Sequence, residues 1–332
     1  MIDSVTFENY LVLGDVTATF ERFTVIVGPN ACGKTTLLGG IDRMATYARS
    51  GRYLIDGTFR STGSPVAPSV MLQSGAVRMF SPSDDGRSRD RYHRAQFDSP
   101  GASDPDIHEA VDAFGMSELL MLEPSSLRAE ASHDVPGQRL QSNGQGLGAM
   151  IADITLDRPP LRDRIEDFLR RLVPNVERLS VKTVGNNRGV YQPWITFSNV
   201  GELPTERLSE GTLLALGLVT TLVATNRPRL LLIDDIEKGL HPTAQAQLVA
   251  ILREFLAEDP GLQIICTSHS PYLLHNFAID EVGVMKLGPD GLARYQRLRD
   301  HPDVEKWKDA LSAGELWSSV GEDWIAEPEH VG

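Results

Sequence analysis

Cysteine is nearly absent: Cys32 and Cys266 are the only two in 332 residues. That is too few for the disulfide framework of a small secreted fold. Cys32 also lies inside a glycine motif that a bridge would obstruct, so both read as reduced thiols. Basic charge is in deficit, with 32 Lys and Arg against 45 Asp and Glu and a net charge of −13. Such a surface as a whole repels nucleic acid and anionic membrane, so any DNA contact has to be local. No apolar run approaches the roughly 20 residues of a membrane span. The longest, around 213–223, is broken by Gly217 and two threonines. The opening MIDSVTFENY has neither the basic start nor the apolar stretch of a signal peptide, which points to a soluble, cytoplasmic chain. Internal repeats and long heptad runs are missing as well, which argues against solenoids and coiled coils. What remains, 41% hydrophobic and 23% charged, suffices for one large or two ordinary domains and excludes disorder throughout.

Residues 2–27 alternate in polarity and then turn apolar, with Val5, Phe7, Leu11 and Leu13, a turn at Gly14 and Asp15, and a final run over 23–27. This predicts strand, hairpin and buried strand. Leu37, Leu38, Ile41 and Met44 then follow at helical spacing. Ser, Pro, Gly and Asp clusters over 57–106 predict surface loops around a strand near 70–72. Residues 107–127 read as one or two short helices ended by Pro124, and 161–172 as an amphipathic helix before Pro174. Residues 176–199 read as strands joined by a turn at Gly185, Asn186 and Asn187. A helix over 208–223, a buried strand from Leu230, a helix over 242–257 and a strand over 263–266 complete an α/β pattern, in which a mostly parallel sheet is covered by helices. A hairpin over 281–298 and one or two tryptophan-bearing helices over 303–326 end the chain.

Between the third strand and the first long helix stand Gly28, Pro29, Asn30, Ala31, Cys32, Gly33, Lys34, Thr35 and Thr36. They satisfy the pattern G-x-x-x-x-G-K-[ST] in the strand–loop–helix setting that confirms it. Glycines let backbone N–H groups converge on phosphates, and the helix N-terminus adds positive potential. Lys34 would bridge the β- and γ-phosphates and Thr35 would hold Mg2+. Asp234, closing an apolar strand, supplies a carboxylate that can reach the metal's water shell beside Thr35.

Leu208, Ser209, Glu210 and Gly211 resemble the signature motif of ABC-type ATPases. The block IDDIEKGLHP over 233–242 resembles the IDEPExGLHP segment of AAA-like ABC ATPases related to the OLD (overcoming lysogenization defect) and RecF groups. The segment Thr267, Ser268, His269, Ser270, Pro271 resembles that group's switch-histidine stretch. The loop 143–147 and the tail 314–317 extend the likeness over most of the chain. The resemblance implies an ABC-type head from 1–56 and 200–300, an inserted α+β lid region over 57–199 and a helical tail over 301–332. It also implies an ATP-dependent head-to-tail dimer, in which Ser209, Glu210 and Gly211 of one copy complete the Gly28 site of another. Anions favour helix N-termini, so a second site of this kind gains affinity once a γ-phosphate is present. Read alone, Ser209 is simply a helix cap with Glu210 in the first turn. His269, following a core strand where such sheets bind ligands, is expected to sense the γ-phosphate and the attacking water.

Asp235 occupies the position of the family's catalytic glutamate and is one methylene shorter. This implies slow hydrolysis, or assistance from Glu237. Cys32, near Lys34 and a helix N-terminus, is expected to have a lowered pKa and to alkylate readily, unless it is simply a small residue that fits. Arg78, Arg87, Arg89, Arg91 and Arg94 form a basic stretch that is either a solvated loop or a local nucleic-acid or partner contact. Trp307, Trp317 and Trp324 read as core. The lid-linking glutamine stays open among Gln73, Gln96, Gln138 and Gln141. The functional expectation is an ATPase component of a DNA-processing or anti-phage complex. Only 270–332 follow the switch histidine, too little for a nuclease domain, so the expected effector is separately encoded and nuclease-like. The alternatives are an ATP-sensing switch with little turnover and a transporter nucleotide-binding subunit, the latter disfavoured by the long gap between Thr36 and Leu208.

Overall fold

A computed structural model describes residues 1–50, 53–54, 69–72, 75–80, 92–93, 96–97, 116–129, 131–132, 139–184, 190–224 and 228–325. The chain divides into two compact units. The first comprises 1–119, 228–236 and 261–332, and the second 120–227 and 237–260. Residues 301–325 fall in the first unit, with the glycine loop.

The first unit is organised by a six-stranded sheet. Its order is Ala293–Arg297, Val282–Leu287, Phe23–Val27, Gln263–Thr267, Leu230–Ile233 and Ser117–Leu120. Phe23–Val27 pairs in parallel with Gln263–Thr267 on one side and Val282–Leu287 on the other, and Leu230–Ile233 runs parallel to Gln263–Thr267. Every residue of these three central strands, 23–27, 230–233 and 263–267, is buried, which is why they read as mostly apolar runs rather than alternating ones. The helix Lys34–Ser50 buries Leu37, Leu38, Ile41 and Met44 in one cluster with Ile26, Leu232 and Ile265. Phe7, Leu13 and Val16 of an antiparallel sheet built from Ile2–Tyr10, Leu13–Thr19, Ser69–Leu72, Gly75–Phe80 and Gln96–Phe97 join that cluster. The buried Gln263 side chain acts as a piece of backbone: it accepts from the Ile2 N–H at 2.9 Å and donates to the Ile2 carbonyl at 2.8 Å.

The second unit packs the helices Leu147–Asp157, Pro159–Leu172, Glu210–Val223 and Pro242–Glu258 with an antiparallel sheet of Ala131–Ser132, Val190–Phe197, Val176–Thr183 and Gly201–Pro204. The helix Pro159–Leu172 starts on two prolines, whose missing N–H groups cost nothing at a first turn.

Three local expectations are corrected. The first hairpin turns at Leu11 and Val12, with Leu11 at φ 53°, while Gly14 and Asp15 lie inside the strand Leu13–Thr19. A Cβ on Gly14 would meet the tip of the Leu292 side chain. Pro124 does not end a helix: residues 117–120 are a strand, and Pro124 opens the short helix Pro124–Arg128 at a position that needs no N–H. Trp307 is 45% exposed, and Trp317 and Trp324 are only half-buried. The last two donate their indole N–H to Glu322 Oε1 at 3.0 Å and to the Gly321 carbonyl at 2.9 Å, a polar need that keeps them at the core's edge. The helices expected over 107–115, the turn at Gly185, and Arg87, Arg89, Arg91 and Arg94 lie outside the described residues. Arg78 falls in the strand Gly75–Phe80, opposite Ser69.

Candidate active site

The strand Phe23–Val27 hands the chain to a loop that reverses sharply. Gly28 has φ 146°, and a Cβ there would overlap the Met285 carbonyl oxygen of the neighbouring strand, so only glycine fits. Ala31 takes φ 62° and Gly33 φ 104° before Lys34 opens the helix. Pro29, Asn30 and Ala31 are exposed, Cys32 and Gly33 are buried, and Thr36 is half-buried. The Lys34 side chain is folded under the loop, only 5% exposed. Its ammonium donates to the carbonyls of Gly28 at 2.8 Å and Pro29 at 2.9 Å and lies 3.9 Å from Cys32 Sγ. The lowered thiol pKa expected for Cys32 is corrected. The residue is 1% exposed, and burial pushes its thiol up by more than the Lys34 charge pulls it down.

Thr35 is exposed at the start of the helix, and its hydroxyl donates to Asp234 Oδ2 at 2.8 Å. The other carboxylate oxygen, Asp234 Oδ1, accepts from the Thr267 hydroxyl at 2.6 Å. Asp235 follows at φ 49°, a left-handed backbone held by its N–H donating to Thr267 Oγ1 at 2.8 Å. His269 Nε2 lies 3.7 Å from Asp235 Oδ1, with both side chains open to solvent. Lys34, Thr35, Asp234, Asp235 and His269 are thus gathered at one end of the sheet, within the first unit. The oxygens fit Mg2+: Thr35 spends its hydrogen on Asp234 and keeps its lone pairs free, beside a hard carboxylate. Among the described residues no group of three or more His, Cys, Asp or Glu forms a metal cage.

In the second unit Ser209 caps the helix Glu210–Val223. Its hydroxyl accepts from the Thr212 N–H at 3.3 Å and lies 2.8 Å from Thr212 Oγ1. Glu210 is exposed in the first turn, where a negative charge suits the helix dipole. Gly211 is pressed against the backbone of Gly239, which has φ 71°, and a Cβ on Gly211 would overlap the Gly239 carbonyl oxygen. Glu237 is half-buried, and its carbonyl accepts from the Leu240 N–H at 2.9 Å. Sequence reasoning quoted Thr267 and Gly239 inside their motifs but gave neither a role. The only available signals were a hydroxyl two residues before His269 and a glycine in the acidic block.

With this geometry in hand, the chain is similar to solved structural-maintenance-of-chromosomes heads. An Smc head bound to the C-winged helix domain of ScpA matches with a TM-score of 0.60 at 14% identity, covering 89% of this chain and 96% of that one. The Smc head with an extended coiled coil from Pyrococcus furiosus, bound to the C-terminal domain of ScpA, gives 0.59 at 10% identity over 92% and 98%. The SMC head domain from Thermotoga maritima gives 0.50 at 12% identity over 89% and 98%. The fold is that of a P-loop, ABC-type ATPase head. A family profile described as "AAA domain, putative AbiEii toxin, Type IV TA system" matches residues 138–275. That match spans the helix Glu210–Val223, the strand Leu230–Ile233 and residues 267–271 but not the loop 28–36, which rests on its own motif and geometry. No curated protein matches the chain.

Proposed function

We propose that this ABC-type head binds and slowly hydrolyses ATP with Mg2+, and that ATP joins two copies head to tail. The observation that carries the reading is the convergence of Lys34, Thr35 and Asp234, the last two paired at 2.8 Å, on a loop with its strand and helix in place. In this reading the loop N–H groups and the Lys34 ammonium, turned from its two carbonyls, hold the β- and γ-phosphates. Thr35 and Asp234 would hold Mg2+, which when bound offsets charge on the phosphate oxygens. Asp235 accepts the proton of the attacking water as its oxygen bonds to the γ-phosphorus and the bridging β–γ P–O bond breaks, releasing ADP, and His269 orients that water. Ser209, Glu210 and Gly211 form the second anion site offered to the partner copy's phosphate.

The biological setting we propose is a DNA-processing or anti-phage complex with a separately encoded effector, a reading supported by the toxin–antitoxin description of the matching family. The shortness of the Asp235 carboxylate supports a second reading, an ATP-sensing switch with little turnover. Light scattering with ATP–Mg2+, ADP or no nucleotide, with phosphate release followed in the same samples, tests both. A doubled mass with more than one phosphate per site supports the ATPase. A doubled mass without release supports the switch, and a mass indifferent to ATP overturns the composite site.

A further inference from the structure

Thr267 belongs to no motif position with an assigned role, yet its single hydroxyl joins two residues of the acidic turn. It donates to Asp234 Oδ1 at 2.6 Å and accepts from the Asp235 N–H at 2.8 Å, while its carbonyl accepts from the Ile236 N–H at 3.1 Å. The residue is fully buried. Asp234 therefore has each carboxylate oxygen held by a threonine hydroxyl, Thr35 on Oδ2 and Thr267 on Oδ1, which fixes the plane in which the carboxylate faces the phosphate loop. The same hydroxyl satisfies the N–H exposed by the left-handed turn at Asp235, whose carboxylate lies 3.7 Å from His269 Nε2. Neighbours that orient a metal-binding carboxylate commonly change metal affinity about 10- to 100-fold when removed.

We propose that Thr267 is a positioning residue that sets Asp234 for the cation and holds the turn that aims Asp235. Its hydroxyl acts through these two residues without touching substrate. The inference rests on the ATP–Mg2+ reading and deepens it. Thr267→Val keeps the branched shape and deletes the hydroxyl, leaving Asp234 Oδ1 and the Asp235 N–H without this partner. Thr267→Ser keeps the hydroxyl.

The test titrates Mn2+ by electron paramagnetic resonance in the presence of a non-hydrolysable ATP analogue, and separately measures a fluorescent ATP analogue in EDTA. The wild type, both variants and Lys34→Ala are compared. We expect Thr267→Val to bind Mn2+ about tenfold or more weakly, with metal-free nucleotide affinity within about twofold of wild type, and Thr267→Ser to restore the Mn2+ affinity. Lys34→Ala loses nucleotide affinity with or without metal. A folded Thr267→Val with wild-type Mn2+ affinity overturns the role of Thr267 alone. So does a Thr267→Ser variant as impaired as the valine one. A wild type that binds neither analogue overturns the ATP reading and this inference together. Should valine disturb folding, Thr267→Ala, which is smaller, carries the same expectations.

Discussion

Asp235 meets two demands at once. Its backbone at φ 49° is a conformation that aspartate and asparagine adopt more readily than longer residues, and its carboxylate faces His269 at 3.7 Å. Glutamate at this position would extend the reach of the carboxylate but fit the turn less well. Asp235→Glu is therefore expected to raise phosphate release while lowering stability by about 1 kcal/mol, read by denaturant unfolding. Asp235→Asn, which tolerates the turn, should keep stability and abolish release. Unaltered rates in both variants would remove Asp235 from the chemistry. At Cys32 the balance went the other way from the motif's suggestion. The proximity of Lys34 was legible in the spacing, but the burial that outweighs it is a property of packing.

Among the elements, the helix Glu210–Val223 shows how a loop far along the chain sets a helix start. Every residue after Glu210 is buried, and Gly211 lies against the Gly239 backbone. A methyl group at 211 cannot be absorbed by rotating a side chain, because the obstacle is a carbonyl. Gly211→Ala should destabilise the protein by about 2 kcal/mol or more in a chemical unfolding titration. A loss below half that would show that the turn around Gly239 yields. The helix Pro159–Leu172 was readable because its apolar positions recur on one face. The strand Ser117–Leu120 stands where the sequence pattern predicts helix, because four residues carry no decisive period and Pro124 is equally at home after a helix or at the start of one.

For the molecule as a whole, a net charge of −13 constrains any nucleic-acid partner. If DNA stimulates the proposed ATPase, the stimulation should fall steeply between 50 and 200 mM salt, on the order of tenfold or more for a few phosphate contacts. Neutralising Arg87, Arg89 and Arg91 together should remove it while leaving the basal rate intact. Stimulation that survives both would move the DNA contact off this stretch. The division into two units places the glycine loop 28–36, the strand Leu230–Ile233 and His269 in one and Ser209 to Gly211 in the other, although their segments alternate along the chain.

By itself the sequence determined the α/β class, the glycine loop between a strand and a helix, and the acidic strand end. Each of these depends on short-range pattern: an unbroken apolar run for a buried strand, glycines for a tight loop, a carboxylate where the strand stops. Only the tertiary structure decided how residues distant in the chain meet. Thr35 and Thr267 close on the two oxygens of Asp234, and Gly239 sets the limit on Gly211. Burial, the largest influence on the Cys32 thiol, raises its pKa rather than lowering it. The physical reason is that hydrogen bonding, exclusion and desolvation act between neighbours in space, and the sheet brings together strand ends separated by some 200 residues.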